Sequence, residues 1–123
     1  MSSILVIDDD EIIRNVLNKT LVREGYHVEL AGNGKEGLTM LDKMHYDLVI
    51  TDLMMPYANG FEVIGKLKQH PNTADAAIIV VSSVNNEDSI IDGFKLGIDE
   101  YIRKPVIIGE LLMHVKKLLS KNS

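Results

Sequence analysis

Asp47-Leu48-Val49-Ile50-Thr51-Asp52-Leu53-Met54-Met55-Pro56 is the stretch that decides the fold. It opens as a continuous apolar, β-branched run, the composition of a strand buried on both faces. The run ends in a carboxylate, Asp52, and Pro56 then stops any regular element. An acid at the end of a buried strand is costly unless something uses it. In an open α/β sheet, ligands sit just beyond the carboxyl ends of the strands, which is where this layout puts Asp52.

The totals fit such a sheet. The 123 residues suit one domain, expected to span 1–123, and 46 % of them are hydrophobic, enough for a packed core. The net charge is −5 with no Lys/Arg block, which argues against direct nucleic-acid binding. Cysteine is absent, so a disulfide frame and thiolate chemistry are excluded. Met1-Ser2-Ser3-Ile4 has neither the basic nor the long apolar part of a secretory signal. No apolar run reaches membrane-spanning length. The expectation is a cytoplasmic protein with no membrane partner. The chain ends soon after its last helical pattern, so no output domain is expected within it.

Working outward from Asp52, Ile4-Leu5-Val6-Ile7 and Ala77-Ile78-Ile79-Val80-Val81 are two more buried-strand runs. Tyr26 to Ala31 alternates as a strand, and Glu100-Tyr101-Ile102-Arg103 is a short fifth one closed by Lys104-Pro105. Between them lie helical patterns. Ile13, Val16, Leu17, Thr20 and Leu21 share one face, ended by Gly25. Asn33-Gly34 turns the chain, and Leu38, Leu41 and Met44 or His45 stripe a second helix. Tyr57-Ala58-Asn59-Gly60 is a loop with Asn59 as cap to a third helix bearing Phe61, Ile64, Leu67 and Lys68, which His70-Pro71-Asn72 breaks. Asn85-Asn86-Glu87-Asp88 caps a fourth helix carrying Ile90, Ile91 and Phe94, ended by Gly97. The last helix shows Leu111, Leu112, Val115, Leu118 and Leu119, with Lys116, Lys117 and Lys121 toward its end. Five strands alternating with five helices give the fold class: α/β, doubly wound, with a five-stranded parallel sheet covered on both faces. Periodicity leaves the strand order open.

Asp8, Asp9, Asp52, Ser82 and Lys104 all fall at or just past the ends of the first, third, fourth and fifth strands. Here the sequence resembles, over nearly its full length, the receiver domain of two-component response regulators, of the chemotaxis or sporulation single-receiver type. Five pieces carry the resemblance in order: Val6-Ile7-Asp8-Asp9-Asp10, Val49 to Pro56, Asn59-Gly60-Phe61-Glu62, Val80-Val81-Ser82-Ser83 and Tyr101-Ile102-Arg103-Lys104-Pro105. It implies the flavodoxin-like strand order 2-1-3-4-5. It also implies that Asp52 accepts a phosphoryl group from a sensor histidine kinase or a histidine phosphotransfer protein.

Each residue has a plainer reading beside that one. Asp8, Asp9 and Asp10 suit helix capping and a first-turn dipole complement as well as a cation cluster. Asp10 is read as cap alone. For Asp8 and Asp9 the resemblance implies a Mg²⁺ site, with Mn²⁺ possible. Asp9 and Asp52 would ligate directly, with the Met54 backbone carbonyl, and Asp8 would act mainly through water. The chemistry is coherent: carboxylates about 5 Å apart repel by roughly 3 kcal/mol per pair at an effective dielectric near 20. A hard cation that accepts oxygen ligands removes that cost. Lys104 could be a solvated lysine and Ser82 a strand end. The resemblance instead makes Lys104, aimed by a cis peptide to Pro105, and Mg²⁺ the neutralising charges, and has the Ser82 hydroxyl bond the phosphoryl group after transfer. Tyr101 could be partial core. The resemblance implies that it moves from an exposed to a buried rotamer, changing the face made by the fourth helix, fifth strand and fifth helix.

Two departures stand out. Asn59 occupies a place where the family often has Asp. Met54 and Val84, two residues past Asp52 and Ser82, are apolar where fast-dephosphorylating members carry polar groups, so slow autodephosphorylation is expected. The chain is expected to be a switch that takes part in its own phosphorylation, not a turnover enzyme. Its output would pass to a protein target or to an output domain outside this chain, as a monomer or a phosphorylation-dependent dimer. An aspartate-nucleophile phosphatase would need an acid at position 54, and an FMN binder a Ser/Thr/Gly-rich loop where Asp8 to Asp10 stand. A receiver-like protein that only binds partners is the dull alternative, weakened by the intact acid set and lysine. His27, His45, His70 and His114 show no metal-ligand spacing, and the six methionines are read as filler.

Overall fold

A computed structural model of the chain describes residues 1–55, 59–84 and 86–120. Its elements alternate strictly. They are β1 (Ser3–Ile7), α1 (Glu11–Arg23), β2 (His27–Ala31), α2 (Gly34–Met40), β3 (Leu48–Thr51), α3 (Gly60–Gln69), β4 (Ala77–Ser82), α4 (Glu87–Leu96), β5 (Glu100–Arg103) and α5 (Ile108–Ser120). The strands form one parallel sheet in the order β2-β1-β3-β4-β5. The expected fold class and strand order are the observed ones. The expected elements at Pro56 to Ala58, Asn85 and Lys121 lie outside the described residues.

Alternation along buried strands sorts the core into two layers. Leu5, Ile7, Val49, Ile78 and Val80 meet Val63, Ile64 and Leu67 of α3. Ile4, Val6, Leu48, Ile50, Ile79 and Val81 meet Leu17 and Leu21 of α1 and Leu111, Val115 and Leu119 of α5. Each fully buried Leu, Ile or Val contributes about 1.5–3 kcal/mol, so these layers are what fix the sheet. No helix among the described residues is long and apolar enough to cross a membrane.

The helices start where short polar side chains take the first free N–H groups. Asp10 accepts from Ile12 N and Ile13 N at 3.0 and 3.3 Å. Asn59 accepts from Glu62 N at 2.9 Å and Asn86 from Ser89 N at 2.8 Å. Gly97 closes α4 with φ +104°, a left-handed conformation that suits glycine.

Four local expectations need correction. Asn33 is the N-cap of α2, accepting from Glu36 N at 2.9 Å, rather than a turn residue. That helix stops at Met40, short of Met44 and His45, because the Leu41 N–H turns to the Leu38 carbonyl and the last turn tightens. On α1, Val16 falls outside the buried stripe that Leu17 and Leu21 form. On α4, Ile91 and Phe94 are 42 % and 45 % exposed, and the buried residue is Gly93. A β-carbon at Gly93 would stand 2.9 Å from Ile98 Cδ1, so the glycine lets Ile98 fill that position and the helix rests on its smallest face.

The register brings the site together. Ile7 is level with Thr51, so Asp8 and Asp52 leave β1 and β3 side by side, and Asp52 N bonds Ile7 O at 3.1 Å. Ser82 is level with Arg103, and Lys104 N bonds Ser82 O at 3.0 Å.

Candidate functional site

At this end of the sheet, Asp8 and Asp52 are 2 % and 5 % exposed, while Asp9 faces solvent. One oxygen from each of the three lies within 4.8 Å of the others. Lys104 Nζ stands 2.8 Å from Asp52 Oδ2 and 3.1 Å from Asp8 Oδ2. Burial of the stem and contact of the ammonium with two buried carboxylates make this an ion pair screened far less than one in water.

The remaining oxygens are held by backbone. Asp8 Oδ1 accepts from Asp10 N at 2.8 Å and Asp52 Oδ1 from Met54 N at 3.1 Å. Even so, burial holds the Asp8 carboxyl above the ordinary aspartate range. The Asp10 N–H and Lys104 pull the other way without balancing it, and the nearby Asp52 adds to the rise. Burial alone would lower Lys104, but its bond to Asp52 and the charges of Asp8 and Asp52 outweigh that and raise it.

The Lys104–Pro105 peptide is cis. Ser82 is wholly buried, and its Oγ accepts from Val84 N at 3.1 Å. The Tyr101 phenol donates to the Val84 carbonyl, its ring half-buried against the α3-side core, and burial pushes its pKa up. Met54 points its side chain to solvent, 63 % exposed.

Two further residues, Gly60 and Arg14, shape the site through the backbone. A β-carbon on Gly60 would lie 2.5 Å from Leu53 Cα and 2.7 Å from Asp52 O, so only glycine lets α3 begin this close to the Asp52 strand end. Arg14 Nη1 donates to the Asp8 carbonyl at 2.8 Å. The Asn59-Gly60 pair was a motif in the sequence without its steric reason. Arg14, six residues past Asp8, belongs to no motif.

The donor set fits a hard divalent cation. All three groups are carboxylates, the type such ions prefer, and the exposed Asp9 leaves a solvent side where Mg²⁺ can keep its waters. Three ionised carboxylates against one ammonium leave two negative charges, an excess that a bound divalent cation would offset.

The family model described as "Response regulator receiver domain" matches residues 4–116. The transcriptional regulatory protein PcoR of Escherichia coli is 32 % identical over 121 residues, covering 98 % of this chain and 53 % of PcoR. The DNA-binding dual master transcriptional regulator RpaA of Synechocystis is 34 % identical over 121 residues, covering 98 % of this chain and 50 % of RpaA. The chain therefore spans about half the length of these curated relatives. Among solved structures, a CheY-like response regulator receiver domain protein from Methanospirillum hungatei superimposes with a TM-score of 0.93 at 29 % identity, covering 98 % of this chain and 95 % of that one.

Proposed function

The chain belongs to the response regulator receiver domain family of two-component systems, and on that premise we propose that it is a phosphorylation-controlled switch with Asp52 as phosphoacceptor. The donor is a phosphohistidine on a sensor histidine kinase or a histidine phosphotransfer protein. An Asp52 carboxylate oxygen forms the new O–P bond as the P–N bond breaks, and the imidazole leaves with the electron pair and takes up a proton. Such a transfer needs alignment and charge neutralisation more than covalent help.

The observation that carries this reading is the ammonium of Lys104 against Asp52 Oδ2 and Asp8 Oδ2, 2.8 and 3.1 Å away, at the end of a buried strand. That charge lies beside the oxygen that would receive the phosphoryl group. Asp9, Asp52 and the Met54 carbonyl would hold Mg²⁺, or Mn²⁺ in its place, with Asp8 acting through water. Once bound, the ion supplies neutralisation of the phosphoryl oxygens. The Ser82 hydroxyl has one proton to give and two lone pairs. It can donate to a phosphoryl oxygen while still accepting from Val84 N. Tyr101, tied to the same Val84, passes the change to the face of α4, β5 and α5, which shifts between two packings and controls a partner.

In this reading residues 1–123 are a single receiver domain acting in the cytoplasm, a participant in its own phosphoryl transfer rather than a turnover enzyme. Output runs to a protein target or an output domain outside this chain, with the receiver a monomer or a phosphorylation-dependent dimer. Incubation with a small-molecule phosphodonor and Mg²⁺, followed by ³¹P NMR, tests it. An acyl-phosphate signal that hydroxylamine removes and Asp52→Asn lacks is the expected result. A signal unaltered by Asp52→Asn would overturn the assignment.

A further inference from the structure

We infer that Arg14 is a positioning residue for the acid cluster: its guanidinium sets the direction of Asp9 by gripping the peptide that joins Asp8 to Asp9. The inference rests on the metal-site reading above. Asp8 is restrained on every side. Its N–H bonds the Ala31 carbonyl at 3.1 Å, its Oδ1 accepts from Asp10 N at 2.8 Å, and its Oδ2 faces Lys104 at 3.1 Å. The remaining group is the carbonyl, and Arg14 Nη1 takes it at 2.8 Å. That carbonyl and the Asp9 N–H belong to one planar peptide unit. Fixing the plane fixes where the chain carries Asp9 out of the strand, and Asp9 is the one exposed member of the cluster.

Gly32 keeps the path of the guanidinium open. A β-carbon there would lie 3.3 Å from Arg14 Nη1 and 2.9 Å from Glu36 Oε2, the oxygen that accepts from Gly32 N. Arg14 therefore threads between the loops after β1 and β2, where a longer residue at position 32 would displace it. Arginine suits this task because its donors sit on a rigid planar fork, whereas lysine carries a point charge on a flexible stem.

The sign of one measurement separates positioning from simple electrostatics. A cation near a cation site repels it, so removing the Arg14 charge would tighten metal binding if charge were the whole effect. Loss of a positioning partner loosens it instead, and outer-shell partners of metal ligands are worth about tenfold or more in affinity. The experiment is direct Mn²⁺ binding by electron paramagnetic resonance to wild type, Arg14→Gln, Arg14→Lys, Gly32→Val and the distant control Arg23→Gln, with thermal unfolding of each. Weakening by about tenfold in Arg14→Gln and Gly32→Val, less in Arg14→Lys and none in Arg23→Gln, is the expected result. The half-saturating Mg²⁺ for phosphorylation should rise in step, with the rate at saturating Mg²⁺ unchanged. Equal or tighter Mn²⁺ binding by a folded Arg14→Gln protein overturns the positioning role. Absence of Mn²⁺ binding by the wild type overturns the metal-site reading itself, and this inference with it.

Discussion

The phenol of Tyr101 donates its hydrogen bond to the carbonyl of Val84, while the N–H of the same Val84 donates to Ser82 Oγ at 3.1 Å. One peptide residue is thus held at both of its polar groups by the two side chains assigned to the switch. A hydrogen bond of this kind contributes about 0.5–1.5 kcal/mol net. Tyr101→Phe should therefore cost about 1 kcal/mol in urea unfolding and speed amide exchange in the segment after β4 several-fold. The rate at which Asp52 is phosphorylated should stay unchanged. A Tyr101→Phe protein with unaltered exchange there would show that the phenol does not tether the segment.

The same clamp bears on phosphoryl lifetime. Both backbone groups of Val84 are engaged, its side chain is apolar, and the Met54 side chain points to solvent. Neither residue offers a group to orient an attacking water. The acyl phosphate is predicted to last well beyond seconds in Mg²⁺. Met54→Asn should shorten its half-life by about tenfold, a modest part of the roughly 10²–10⁴ that a well-placed polar group gives in proton transfer. A wild-type half-life of a few seconds, followed by loss of the acyl-phosphate signal, would sink this account.

Stability should depend on pH through Asp8. Its folded carboxyl titrates above the ordinary aspartate range because of burial. Between the unfolded value and that raised one the folded state binds more protons than the unfolded chain, so stability falls as pH rises through this window. Asp8→Asn should then raise the midpoint of thermal unfolding by a few degrees at neutral pH without divalent metal, on the order of 1 kcal/mol. It should also remove the further stabilisation that Mg²⁺ is expected to give the wild type. A lower midpoint for Asp8→Asn in metal-free buffer would contradict the view that the Asp8 charge is a cost borne for the site.

Gly60 offers a steric test. Its missing side chain lets the start of α3 lie against Leu53 Cα and Asp52 O, and Gly60 N bonds Leu53 O at 2.9 Å. Gly60→Ala should cost about 1–3 kcal/mol, the usual range for overpacking, and weaken Mg²⁺ binding by moving Asp52. Calorimetric unfolding and Mn²⁺ titration of that variant would expose the error if both matched the wild type.

Much of this was legible in the residues. The apolar runs Ile4–Ile7, Leu48–Ile50 and Ala77–Val81 read as buried strands because strands buried on both faces need no alternation. The strand order came from the motif series, since helical and strand periods say nothing about which strands are neighbours. The clearest failure was at α4, where Ile90, Ile91 and Phe94 suggested an apolar stripe but Gly93 supplies the buried contact. A pattern of hydrophobic residues cannot show that an absent side chain is what packs. Within the site, Asp8, Asp9, Asp52 and Lys104 do converge, as strand ends in register must. The roles of Arg14 and Gly60 were hidden because both act on backbone carbonyls, whose positions no residue spacing encodes.

The most direct measurement is intact mass after incubation with a small-molecule phosphodonor, run beside Asp52→Asn and a metal-free sample. The account predicts one added phosphoryl group on the wild type, lost when either Mg²⁺ or the Asp52 carboxylate is removed. A folded, Mg²⁺-binding wild type that gains no phosphoryl group, from this donor or from a phosphorylated histidine phosphotransfer protein, would contradict it.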